Sequence, residues 1–163
     1  MPSQLPATAP ETVGAAFAKL NAVTAPTIDD FKLMVFLEAY AESAYQELAV
    51  TAPGDEIRDL LLANGREEMA HAHRVAKVIK QLTGEDFPPP APEHNPFVRP
   101  TGAVLTRQVL EGLVQAENNG NDLYAAWADN TADAQAAAWL RQNGKEEIRH
   151  GERAARALAL MGG

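Results

Sequence analysis

Two Glu-x-x-His tetrads, Glu68 to His71 and Glu147 to His150, hold the side chains of this sequence best suited to chemistry. Residues three apart on a helix lie about 60° apart on one face, so each tetrad turns a carboxylate and an imidazole the same way. Thirty positions before each tetrad stands another Glu, Glu38 and Glu117, and seven residues after each of those a Tyr, Tyr45 and Tyr124. Glu and Tyr at that spacing fall within about 20° of each other. One offset of 79 carries the first set onto the second. It superposes Asn64-Gly65-Arg66-Glu67-Glu68-Met69-Ala70-His71 on Asn143-Gly144-Lys145-Glu146-Glu147-Ile148-Arg149-His150, and Arg74 on Arg153. A lone Glu-x-x-His arises easily by chance. Two that share an upstream Glu and Tyr at identical distances read as two copies of one unit.

Packed face to face, two such units set four Glu and two His at one centre. Four bare carboxylates in a dry interior are prohibitive, and some would take up protons instead. Two divalent cations would cancel four negative charges and make the burial tolerable. An oxygen-rich set with two imidazoles suits iron or manganese, and zinc can also occupy it. There is no Cys, which removes disulfides, Cys-ligated zinc, iron–sulfur clusters and thiol nucleophiles together. The formal charge of −8 would repel a phosphate backbone, so nucleic acid is not an expected partner. No apolar run approaches the roughly 18 residues of a membrane span, and the start lacks the basic and apolar regions of a leader. A soluble, cytoplasmic protein with no membrane partner is expected.

The elements that must position these residues are helical, since nothing alternates as a strand would. Residues 1–27, rich in Ala, Thr and Pro, are expected to form a flexible or loosely docked arm in which only 11–23 could be helical. The bundle itself is assigned to 28–163. Its first helix runs from Thr27-Ile28-Asp29-Asp30 to about Val50, and the second from about Asp55 to Leu82-Thr83-Gly84. The third is expected over about 101–130, and the fourth over about 132–160 with a Gly162-Gly163 end. Between them, residues 86–100 are too proline-rich for helix. Extended, these residues reach roughly 45 Å, against about 40 Å for a 28-residue helix. Two short links flanking a connection that can cross the molecule describe two antiparallel helical hairpins joined by a long crossover, an all-α, ferritin-like four-helix bundle. A simple up-down bundle would not need the proline segment.

At these residues the chain resembles the ferritin-like di-iron carboxylate superfamily, its rubrerythrin and bacterioferritin branches in particular, over about residues 28–160. Glu68-Met69-Ala70-His71-Ala72-His73-Arg74 is similar to the bacterioferritin segment, and Glu147 to Arg153 to the last helix of rubrerythrin. The resemblance implies that Glu38 and Glu117 are terminal ligands, Glu68 and Glu147 bridging ligands, and His71 and His150 the nitrogen ligands of two iron ions. Rubrerythrins usually add a cysteine-ligated rubredoxin domain, so a separate electron-donor protein is expected here. They also carry an extra Glu where this sequence has Gly120, with Ala41 as its counterpart in the first half, so metal movement onto such a residue is not expected. Only 13 residues follow His150, fewer than in cage-forming ferritins, and a homodimer is expected.

Tyr45 and Tyr124 are expected to hydrogen-bond ligand carboxylates or to pass an electron. Arg74 and Arg153, one turn past each His, are read as surface ion pairs in preference to groups that orient a carboxylate. Glu67 and Glu146, with Glu42, Glu47, Glu111 and Glu152, are read as solvated or as hydrogen-bonded to ligands. His73 should face away from the centre, and nothing gives His94 a role. Met69 stands where bacterioferritin binds haem, but packing is the expectation and haem is not. The implied function is a redox enzyme in which two ferrous ions reduce O₂ or hydrogen peroxide, with peroxidase or ferroxidase chemistry. Iron binding or storage without turnover is the alternative, as is an oxygenase, which would require an apolar pocket beside the metals.

Overall fold

A computed structural model describes residues 2–162; Met1 and Gly163, the second of the two terminal glycines, lie outside the described residues. Five α-helices and one short 3₁₀ turn, with no strand among those residues, make a helical bundle. Four of the five helices start where a side chain satisfies one of their first free N–H groups, and the other starts with acids that favour the helix dipole. The first helix, α1 (Val13–Asn21), is capped by Thr12. In α2 (Ile28–Val50) Thr27 and Asp30 form a reciprocal capping box. Acidic Asp55 and Glu56 open α3 (Asp55–Thr83), which stops at Gly84 in the left-handed region, φ +77°. Thr106 caps α4 (Arg107–Asp129) and Asp133 caps α5 (Ala134–Leu160).

The expected hairpins form: α2 packs on α3, α4 on α5, and the two are joined through α3 against α5. On the fourth side of the bundle no Cα of α2 comes within 8 Å of one on α4. The short helix α1 bridges that side, touching both. Of the two expectations for the N-terminal arm, flexible or loosely docked, the described residues show the docked one, through α1. Ala16 and Leu20 are fully buried, and the Trp127 indole donates to the Val23 carbonyl at 2.9 Å.

The crossover, residues 84–106, lies along the outside of α2. Phe87 packs on Phe36, Asn95 donates to the Phe36 carbonyl, and Thr101 and Gly102 donate their backbone N–H groups to Glu47. The third bundle helix begins at Arg107, not at 101. Glu47 and the Thr51 hydroxyl, which accepts from Leu105 N–H, hold 101–105 out of helix until Thr106 can cap it. Wrapped by α1 on one side and the crossover on another, α2 is buried almost all round between Phe31 and Ala39. No helix among the described residues is long and apolar enough to cross a membrane.

Two apolar clusters fill the bundle, one around Phe31, Phe36 and Trp127, the other around Leu48, Leu61 and Leu110. Tyr124 belongs to the first and Tyr45 to the second, and the polar centre lies between them. A docked α1 makes Leu20→Ala costly: about 2 to 5 kcal/mol in urea unfolding, as for other buried leucines, where a loose arm would leave the midpoint unchanged.

Candidate metal centre

The six Glu and His residues expected at the centre are brought together there, all buried. Both imidazoles are inaccessible, and Glu68 and Glu147 are at most 4% exposed. His71 Nδ1 lies 3.2 Å from Glu68, 3.5 Å from Glu147 and 3.9 Å from Glu38. His150 Nδ1 lies 3.3 Å from Glu147, 3.5 Å from Glu68 and 3.7 Å from Glu117. Glu68 and Glu147 thus each turn one oxygen to either histidine, whereas Glu38 and Glu117 each face one. The imidazole rings stack with centroids 4.9 Å apart.

One cation at each Nδ1 would meet three carboxylates, two of them shared. Glu68 Oε2, Glu147 Oε2 and both histidine Nδ1 atoms are buried with no hydrogen-bond partner. Buried polar atoms are rarely left so, and four converging within one cluster fit a cation between them.

Each imidazole is fixed from behind by the opposite hairpin. His71 Nε2–H donates to Glu146 at 3.0 Å and His150 Nε2–H to Glu67 at 2.9 Å, which leaves each Nδ1 as the inward lone pair. Arg74 grips Glu146 through two nitrogens, at 2.8 and 3.2 Å, and Arg153 grips Glu67 at 2.9 and 3.0 Å. These arginines are half-buried anchors, correcting the surface ion pairs expected of them: their planar forks match carboxylates that in turn orient a histidine.

Asn64 and Asn143 complete the weave and were not singled out from sequence, although both repeat at the same offset. Asn64 donates to the His150 carbonyl and accepts from Arg153, and Asn143 donates to the His71 carbonyl and accepts from Arg74. The glycines beside them have a packing role. A Cβ on Gly65 would stand 3.2 Å from that of Tyr45, and one on Gly144 3.2 Å from that of Tyr124.

Tyr45 donates its hydroxyl to Glu117 and Tyr124 donates to Glu38, each across to the other hairpin. Gly120, where the resemblance led to a comparison with an extra Glu, lies against Glu147: a Cβ there would stand 3.1 Å from its carboxylate. His73, His94 and Trp139 contribute nothing to the centre; the two histidines are exposed and Trp139 packs on the core.

Burial drives the charges of this centre toward neutrality. It raises the Glu38 carboxyl well above its usual range, helped by Glu68 and Glu147, and pushes Glu117 up to about 7. Burial opposes charge on the imidazoles, yet the surrounding carboxylates outweigh it. Glu146, Glu147 and Glu68 raise His71, and Glu117, Glu147 and Glu68 raise His150. Glu147 ends below its usual range, since the closeness of Glu117 and the two histidines outweighs burial and the charge of Glu68. Hydrogen bonding to His71 and then Arg74 holds Glu146 at about 2. Both phenols are raised well above theirs by burial and the adjacent carboxylates, and stay protonated donors.

Protons on the histidines and outer carboxyls do the same neutralising work as a cation, so the two compete. A raised group binds its proton more tightly folded than unfolded, and its contribution to stability is lost as the pH climbs from the unfolded to the folded value. Chelator-treated protein is therefore expected to lose thermal stability as the pH rises from about 4.5 through 7, with the added Zn²⁺ binding more tightly over the same interval and releasing protons. Calorimetry at several pH values measures both. Glu146→Gln should weaken Zn²⁺ binding about 10- to 100-fold by freeing the ring of His71, read by competition with a chromophoric chelator.

A protein-family model described as Rubrerythrin matches residues 34–158, a span that contains every residue of the centre. No curated protein and no solved structure gives a significant match.

Proposed function

From the premise that the chain belongs to the rubrerythrin family, a ferritin-like di-iron carboxylate family, we propose that it is a redox protein that reduces hydrogen peroxide or O₂ with peroxidase- or ferroxidase-type chemistry. The observation that carries this reading is the set of four unpartnered, buried ligand atoms on Glu68, His71, Glu147 and His150. In this assignment Glu38, Glu68, Glu147 and His71 hold one iron, and Glu117, Glu68, Glu147 and His150 the other. Two ferrous ions supply the two electrons that cleavage of a peroxide bond consumes.

The chain's own groups do the rest. Glu68 and Glu147 are shared by both positions, so a change of charge at one is felt at the other. Tyr45 and Tyr124 orient the outer carboxylates and keep a proton within reach of Glu117 and Glu38. The apolar clusters on either side exclude water and strengthen every charge interaction between them. With no cysteine in this sequence to ligate a second redox centre, a separate electron-donor protein restores the ferrous pair.

Anaerobic addition of Fe²⁺ is expected to saturate at two per chain. One equivalent of peroxide should then oxidise both ions within seconds, followed by visible absorption and by the loss of chelatable Fe²⁺. Uptake far above two per chain without turnover would favour storage. Glu68→Ala should lose most of its bound iron by elemental analysis, because it removes an oxygen from both positions; full retention would remove the site assignment.

A further inference from the structure

The open side of the bundle, between α2 and α4, forms a cavity of about 400 Å³. That is within the range that takes small organic ligands, about 300 to 1,000 Å³. Glu38, Glu68, Glu117 and Glu147 contribute to its lining, with Tyr45 and Tyr124. The walls are hydrocarbon, from Phe17 of α1, Met34 and Leu48 of α2, and Leu113 and Leu123 of α4. Polar groups otherwise come from Tyr40 and from Asn21 and Asn119, both exposed. Small side chains keep the cavity clear, with Ala41 and Ala44 on α2 facing Ala116 and Gly120 on α4. A Cβ at Gly120 would already meet Glu147.

Hydrogen peroxide has two heavy atoms and is fully polar, so it uses neither this volume nor these walls. An apolar ligand with one polar end uses both, since its hydrocarbon leaves water for the cleft while its polar end reaches the carboxylates. Such an end would meet the carboxylate-bearing part of the lining, where Glu68 and Glu147 border the cavity beside Glu38 and Glu117.

We propose that this cleft binds the hydrocarbon part of an organic hydroperoxide and seats its O–O group against Glu68 and Glu147, making alkyl or aryl hydroperoxides the preferred substrates. The proposal rests on the peroxide-reducing reading above. In the reaction the O–O bond breaks and takes up two electrons and two protons, giving an alcohol and water. The electrons come from the ferrous pair, which the donor protein re-reduces one electron at a time, and the protons from solvent.

The test uses cumene hydroperoxide and its product alcohol, 2-phenyl-2-propanol. In zinc-loaded protein labelled at the methionine methyls, the alcohol is expected to shift Met34 and leave Met161 in place. Ala116→Phe, a change at an exposed helix position on the cleft, should weaken that binding at least tenfold. In the iron-loaded variant kcat/KM for cumene hydroperoxide should fall at least tenfold while that for hydrogen peroxide stays within twofold, with an unchanged circular dichroism spectrum. No shift at Met34, or equal losses for both peroxides, overturns the proposal. Turnover of hydrogen peroxide without turnover of cumene hydroperoxide overturns it alone, whereas turnover of neither overturns the underlying reading as well.

Discussion

Four carboxylates buried around two imidazoles are the constraint on which the rest of this molecule depends. Left among hydrocarbon, such a group repels itself and forfeits its hydration. Three features make it tolerable: proton uptake by the histidines and outer carboxyls, phenolic hydroxyls aimed at Glu38 and Glu117, and a geometry that points the remaining lone pairs at a shared space. A cation takes the place of the first without disturbing the other two. The same residues therefore explain both how the bundle survives with charge in its middle and why a metal would be held there.

The reinforcement is crossed. Residues of α3 steady the histidine on α5, and residues of α5 steady the histidine on α3: Glu67 with Arg153 behind His150, Glu146 with Arg74 behind His71. Asn64 and Asn143 bond the facing backbones at the same level. Neither hairpin alone completes the environment of its own imidazole, and docking of the two is built into the site itself. Gly65 and Gly144 serve the same docking inside each hairpin by letting the tyrosine-bearing helices approach.

Most of this architecture was legible because it is written twice. Start and stop signals at Thr27 to Asp30, Asp55 and Gly84 place α2 and α3, and the offset of 79 selects six residues that converge in space. What escaped depends on partners distant in sequence. Arg74 and Arg153 look like surface cations one turn beyond a ligand; only the facing helix turns them into anchors. Residues 101–106 have helical character locally, but Glu47 and Thr51, more than fifty positions away, hold most of them out of helix. The first 27 residues read as a loose arm because proline and threonine dominate them. Buried Ala16 and Leu20, apolar contacts from Leu5, Ala9, Val13 and Val23, and one indole bond dock the described part of that arm. The apolar cleft was out of reach of periodicity, since it is defined by the wide spacing of two helices from different hairpins.

That wide spacing also sets how the fourth side is held. Three edges of the bundle are zipped by close-packed helices, and the fourth by α1, by the Phe31–Trp127 ring contact and by the two tyrosine–glutamate bonds between α2 and α4. The centre is divided accordingly: α3 and α5 carry Glu68, His71, Glu147 and His150, while α2 and α4 carry Glu38 and Glu117. Any parting of α2 from α4 would therefore have to break the phenol bonds of both outer carboxylates, which couples the width of the cleft to the orientation of Glu38 and Glu117.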